Sequence, residues 1–305
     1  MEYKTENYYI PGIFSLIIAL ICIFINIISI ILIQQTKPNL HTINHLLICN
    51  TCIASILYSI VTINNFLYII LLPSNKSDRS CRWRAYFAYA SIAGILYSYM
   101  IQSISRYFFS ILSNKYRWLI TFKIHYILLL IQWIVVFLIV LPNILTNDIH
   151  FSFAILCWVS VENTLHTIYT YIAYYILPVI IVIMNYIYIF YRVKKSTKNA
   201  RTLQISRFNQ KRDLEFLRNI VIIISIYLTG GISTIIADLI QNKLLYLINL
   251  ITQIFTVFLA NLCTILLDRK LRHVIKTFIC RTTPIIPFNN AHPIIRIEQI
   301  HQIRT

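Results

Sequence analysis

The chain has 305 residues, 58% of them hydrophobic and only 12% charged, with a mean hydropathy of +0.70. That is too apolar and too poor in charge for a water-soluble domain of this size, and it places the chain among polytopic membrane proteins. The formal net charge of +17 does not point to nucleic acid, because the basic residues stand in short blocks between long apolar runs, so no nucleic-acid partner is expected.

A bilayer core takes about 20 apolar residues per helix. Uncharged windows run over 7–36, 38–75, 85–105, 124–147, 163–191, 219–237 and 244–267, which makes seven spans. Each is far longer than the roughly 10 residues of a barrel strand, so the expected fold is all-α, a seven-transmembrane helix bundle. Lys and Arg set its orientation. With the N-terminus outside, 21 of the 27 fall on the inner side, leaving Lys4, Lys76, Arg79, Arg82, Arg84 and Lys243 outside. The expected organisation is an extracellular N-terminus (1–9), a transmembrane domain (10–268), an amphipathic membrane-surface helix (269–280) and a cytoplasmic tail (281–305).

The opening MEYKTENYYIPG has two glutamates and no basic run, so the first span reads as a signal anchor. Asn26 lies in the first span and Asn50 in the second. An amide in the bilayer needs a partner in the bundle, so both are expected to face inward as a polar network, with simple helix–helix adhesion as the alternative. His41 and His45 are four apart but have no third ligand nearby, and neither a metal nor another cofactor is expected. Asn75-Lys76-Ser77 is a glycosylation acceptor in an outer loop.

Of the seven cysteines, only Cys81 and Cys157 fall on the oxidising side of the membrane. One disulfide is expected to tie the second outer loop to the top of the third span; two free thiols are the alternative. The third span ends in Ser105-Arg106-Tyr107, which puts Arg106 where the helix meets the cytoplasm.

Over roughly residues 10 to 280 the chain resembles the rhodopsin-like (class A) G-protein-coupled receptors. Arg106 follows Cys81 by 25 residues and Trp133 follows Arg106 by 27, intervals similar to those this family keeps between its helix 3 cysteine, helix 3 arginine and helix 4 tryptophan. Pro142 closes the fourth span, Pro178 interrupts the fifth, and Tyr186 follows it by eight. Asn26 and Asn50 match the family's helix 1 asparagine and helix 2 aspartate.

The departures are specific. Ser105 replaces the acidic neighbour of the arginine. Asn50 replaces a sodium-coordinating aspartate, which removes the main charge a cation would need. TGGIS (229–233) stands where helix 6 has an aromatic and a proline, so Gly230-Gly231 is expected to supply flexibility there. Of the helix 7 motif, Asn261 remains in ANLCTILL.

The resemblance implies an extracellular ligand, a heterotrimeric G protein as inner partner and a multi-pass protein of the plasma membrane. Arg106, Tyr107, Tyr186, Asn261 and Asp213 are the expected switch residues, Asp213 pairing with Arg106 across the inner mouth; the alternative is that Asp213 and Glu215 solvate the helix end and pair with Lys211 or Arg218. Ala88 stands where amine receptors keep an aspartate. Tyr89, Thr170, Asp238 and Gln253 are the candidate ligand residues; Asp238 reads first as a solvated cap beside Lys243 and otherwise as a carboxylate that suits a basic group, on which reading a short peptide is favoured over an amine. DRKLRHVIKTFIC reads as an amphipathic helix on membrane lipid, with Cys280 as a lipidation site. Two other classes remain: a receptor-like protein that does not couple, and a small-solute transporter or channel, for which charges near the midplane would be expected. No catalytic constellation is present within a span, and no enzyme is expected.

Overall fold

The computed structural model describes residues 6–35, 42–71, 78–112, 115–146, 148–152, 156–159, 163–199, 204–240, 243–268, 271–272 and 274–275. The chain folds as α1 (Glu6–Gln35), α2 (Ile43–Leu71), α3 (Asp78–Tyr107), α4 (Phe122–Val140), α5, α6 (Gln204–Ile240) and α7 (Lys243–Leu267). α5 opens as Thr164–Tyr171, passes through a π-helical turn at Ile172–Ile176 and continues as Leu177–Asn199. Each uncharged window has become one helix, because in lipid only intrahelical bonding satisfies a single segment's backbone.

Six of these helical segments are long and apolar enough to cross a membrane, and α6 carries a shorter apolar stretch, Val221–Ala237. α4 shows how each is divided. His125, Gln132, Val136 and Val140 are buried, whereas Ile127, Leu130, Ile131, Ile134 and Leu138 are exposed, as a lipid-facing stripe must be. α3 is the axis of the bundle. Of its span 83% is buried, against 22–50% for the other five, because α2, α4, α5 and a hairpin surround it.

That hairpin is an addition to the expected all-helical fold. β1 (Ile149–Ser152) and β2 (Leu156–Val159) pair antiparallel, with Phe151 opposite Cys157. The Cys81–Cys157 disulfide, with 5.3 Å between Cα atoms, fastens β2 to the first turn of α3. Ile149, Cys157 and Val159 then pack with Ala85, Tyr86 and Tyr89, so the loop forms the cap of the core at this end.

The π turn in α5 has a local cause. Pro178 lacks an N–H and cannot continue the helical ladder. The Leu177 N–H reaches back five residues to the Ile172 carbonyl, and the Ala173 carbonyl accepts the Tyr97 hydroxyl of α3 at 3.0 Å.

The flexibility expected of Gly230-Gly231 gives way to a packing role. α6 is helical through both glycines, and a Cβ on Gly230 would lie 2.9 Å from Thr256 Oγ1 and 3.0 Å from its Cγ2. Gly230 is therefore the point at which α6 approaches α7. At Gly231 the nearest atom, on Tyr175, is 3.5 Å away. Gly230→Ala is expected to cost about 1–3 kcal/mol by overpacking, whereas Gly231→Ala gains up to about 1 kcal/mol of helix propensity. Thermal unfolding of the two purified variants in detergent reads this opposition of sign, and equal effects would remove the packing explanation.

Candidate functional site

Polar side chains collect at three levels along α3. At the disulfide end, the Val159 N–H donates to the Tyr89 hydroxyl at 3.3 Å, and the Tyr89 ring lies 5.5 Å from that of Tyr174. Tyr89 is fully buried under the hairpin and anchors it. Thr170 is also buried, its hydroxyl donating to the His166 carbonyl at 2.9 Å. His166 itself bridges Asp148, 3.0 Å from Nδ1, and Asn143, 2.8 Å from Nε2.

Gln253 is the expected ligand residue that meets a cavity. With Tyr58, Ile92, Tyr175, Tyr227 and Thr256 it lines a space of about 30 Å³, room for a water molecule or two in this conformation. Its amide donates to Thr234 Oγ1 at 3.0 Å. The side chain of Asp238 lies outside the described residues, and so does Asn75.

At mid-bundle the two asparagines expected to act together are in separate networks. Asn50 faces α4: its Oδ1 accepts the Trp133 indole N–H at 2.9 Å, and its Nδ2 donates to Gln132 Oε1 at 2.9 Å. Gln132 in turn donates to the Gly94 carbonyl at 3.3 Å. Asn26 folds back on α1, its Nδ2 donating to the Cys22 carbonyl at 2.8 Å and lying 3.4 Å from Cys22 Sγ, which Asn261 Nδ2 of α7 also approaches to 3.4 Å.

The α2 residue that reaches Asn261 is Ser55, donating to its Oδ1 at 3.1 Å. Ser55 lies five residues beyond Asn50, more than one turn along α2, so among the described residues the α2 side chain bonded to Asn261 is Ser55 and not Asn50. The consequence for a cation is unchanged, since a serine carries no charge. A third set, Thr51, Ser98 and Gln102, joins α2 to α3, with Gln102 donating to Thr51 Oγ1 at 2.7 Å.

At the far end of α3, Ser105 turns to α4, its hydroxyl 2.8 Å from His125 Nε2. His125 Nδ1 is 3.0 Å from the Thr121 carbonyl, which only accepts. Nδ1 therefore carries the proton, and in the neutral ring Ser105 donates to Nε2. Arg106 Nη2 donates to Asn44 Oδ1 of α2, and Asn44 Nδ2 donates to Asp268 Oδ2 at 3.2 Å, just past α7.

Tyr107 packs on α5, with its ring 5.6 Å from that of Tyr188. The buried Tyr186 hydroxyl has no hydrogen-bond partner among the described residues and lies within the field of the Arg106 guanidinium. Arg106, Asn44, Gln102, Asn219, Thr264 and Asp268 line a cavity of about 40 Å³. Asp213 is in α6 with its side chain outside the described residues, and Cys280 also lies outside them.

Sequence reasoning missed Asn44, Ser55, His125, Gln132 and Asp268. The signal for Gln132 was the one applied to Asn26 and Asn50, an amide in mid-span. Asp268 is the first charge after the seventh window.

A family model described as 7 transmembrane receptor (rhodopsin family) matches residues 25–265, more than half of the chain. No curated protein matches it. The matched range holds the Asn50–Trp133–Gln132 network, and removing its centre tests that network. Asn50→Ala strands a half-buried indole donor and a buried amide acceptor, at a cost of about 1–3 kcal/mol. Combined with Trp133→Phe, the loss in thermal stability should fall short of the sum of the single losses. Strict additivity would show that the two side chains do not share a bond.

Proposed function

The chain belongs to the rhodopsin family of seven-transmembrane receptors, and from that premise we propose that it is a plasma-membrane receptor that takes an extracellular ligand and activates a heterotrimeric G protein. The observation that carries this reading is the setting of Arg106. It sits at the end of the most buried helix, in a small polar cavity shared by α2, α3, α6 and α7, opposite the end capped by the disulfide. An acidic or polar partner segment that opens this cavity meets a cation already held on the axis of the bundle.

The distribution of charge favours the orientation with Arg106 inside, next to most of the Lys and Arg of the chain. None of the seven windows carries a charge at its centre, which favours a receptor over an ion or proton path.

At the outer end, Ala88 stands on α3 where amine receptors keep an aspartate, so that position offers a small amine no carboxylate. A short peptide with a basic group, engaging Asp238 and the Gln253 side of the cavity, is the favoured ligand. Tyr89 and Thr170 would then support this site from beneath the hairpin.

The test is guanine-nucleotide exchange by a panel of purified G proteins with receptor reconstituted in vesicles, without ligand and against a peptide and amine library. Exchange by the wild-type chain that Arg106→Ala lowers at least tenfold supports coupling through Arg106, and Asp213→Ala is expected to raise ligand-independent exchange. Absence of exchange under every ligand would favour a receptor-like protein that does not couple.

A further inference from the structure

One carboxylate at the Arg106 end makes bonds in two directions. Asp268 Oδ1 accepts the Leu271 N–H at 3.0 Å, three residues on, and the Asp268 carbonyl accepts the Arg272 N–H at 3.0 Å. That is the bonding of a helix N-cap, with the helical residues 271–272 and 274–275 following it. Asp268 Oδ2 accepts Asn44 Nδ2 at 3.2 Å, and His45 Nε2 lies 3.9 Å from the same oxygen.

Asn44 has one oxygen and one NH2 group. Because its NH2 must face the carboxylate, its oxygen faces the other way, and that oxygen is the acceptor for Arg106 Nη2. The orientation of Asn44 is thus set from both sides, by the Asp268 carboxylate that accepts from its NH2 and by the Arg106 guanidinium that donates to its oxygen. Ser105, meanwhile, is engaged with His125 and brings no charge to its neighbour.

We infer that Asn44 and Asp268 are positioning residues that hold Arg106 in the resting conformation, Asp268 serving at the same time as the cap of the segment after α7. This rests on the reading of Arg106 as the coupling residue. It adds that the restraint runs through α2 and the end of α7, so a movement of the capped segment at the membrane surface is transmitted to Arg106. Leu271, fully buried against Ile33, Ile48 and Ile265, fixes the segment to the bundle while the bond is made.

The substitutions that test this exchange the two groups. Asp268→Asn keeps an N-cap oxygen for Leu271 but turns an NH2 group toward Asn44, so Asn44 stands between two donors and its bond to Arg106 is weakened. The expected result is a rise of about tenfold in ligand-free nucleotide exchange, the size that loss of one hydrogen bond to a charged group produces. The double exchange Asn44→Asp with Asp268→Asn puts a carboxylate directly on Arg106 and an amide donor opposite it, and returns exchange towards the wild-type level.

Exchange unchanged in Asp268→Asn, or not lowered again by the double exchange, overturns the inference. Thermal unfolding of the same three proteins in detergent separates it from the coupling reading. If no variant and no wild-type protein drives exchange, coupling fails. The restraint then stands if Asp268→Asn lowers the unfolding midpoint and the double exchange restores it, and falls if the midpoint is not restored.

Discussion

A polar side chain inside a bilayer has no water to bond to, and this one constraint organises the bundle. Each amide, hydroxyl and indole in the spans must either fold back on its own helix or find a neighbour. Ser29, Thr62 and Thr256 take the first course, donating to the carbonyl four residues earlier. Those of α2 largely take the second. Asn44, Asn50, Thr51 and Ser55 reach, in turn, the end of α3, α4, the middle of α3, and α7. Leucine and isoleucine packing among lipid-like side chains fixes no register by itself, so it is these few directional bonds that decide which helix lies beside which and at what height.

α3 is where the bonds converge, and its two ends are built differently. At the disulfide end the helix is covalently tied, capped by a hairpin and packed with tyrosines, whose large rings fill space while each hydroxyl finds a backbone group. Tyr86, Tyr97 and Tyr89 bond respectively to the Phe137 carbonyl, the Ala173 carbonyl and the Val159 N–H. At the Arg106 end no covalent tie exists among the described residues, and beside apolar packing such as that of Tyr107 on Tyr188 the ties are hydrogen bonds to side chains of α2, α4 and α5. A bundle anchored at one end and held by exchangeable polar bonds at the other moves most easily at the second. That asymmetry is what a receptor needs if its ligand sits near the fixed end and its partner at the mobile one.

The seven helices were legible in the sequence because span length is set by bilayer thickness and charge is excluded from it. The disulfide was legible because compartment leaves only two cysteines to oxidise. The hairpin was not, since a short alternation such as Ile149–Ser152 is lost against the tyrosine- and isoleucine-rich background. Pro178 marked a break in α5 but not its form, a π turn that hands a carbonyl to Tyr97. The partners of Asn50 and Asn261 were illegible for a different reason. Position in sequence gives height in the membrane, whereas the choice between Asn50 and Ser55 depends on helix rotation, and five residues amount to more than a full turn. Gly230 was misread because a glycine pair in a helix signals weak propensity, while what it does here is admit Thr256.

The same distinction separates the two carboxylates that bear on Arg106. From the sequence, Asp213, ahead of the sixth uncharged window, is the natural partner for an arginine whose neighbour is a serine. Asp268 is remote by numbering and follows an apolar window, so it reads as the end of a span. In the fold, α2 runs between α3 and α7 at this level, and Asn44 projects from it to both. A neutral amide can relay the preference of a charge because its two ends are unlike: fixing one fixes the other. Through Asn44, Arg106 therefore receives an anionic influence without an adjacent acid, from Asp268, the residue that also begins the segment after α7. In a chain with Ser105 beside the arginine, the state of the inner mouth depends on how that segment sits on the bundle.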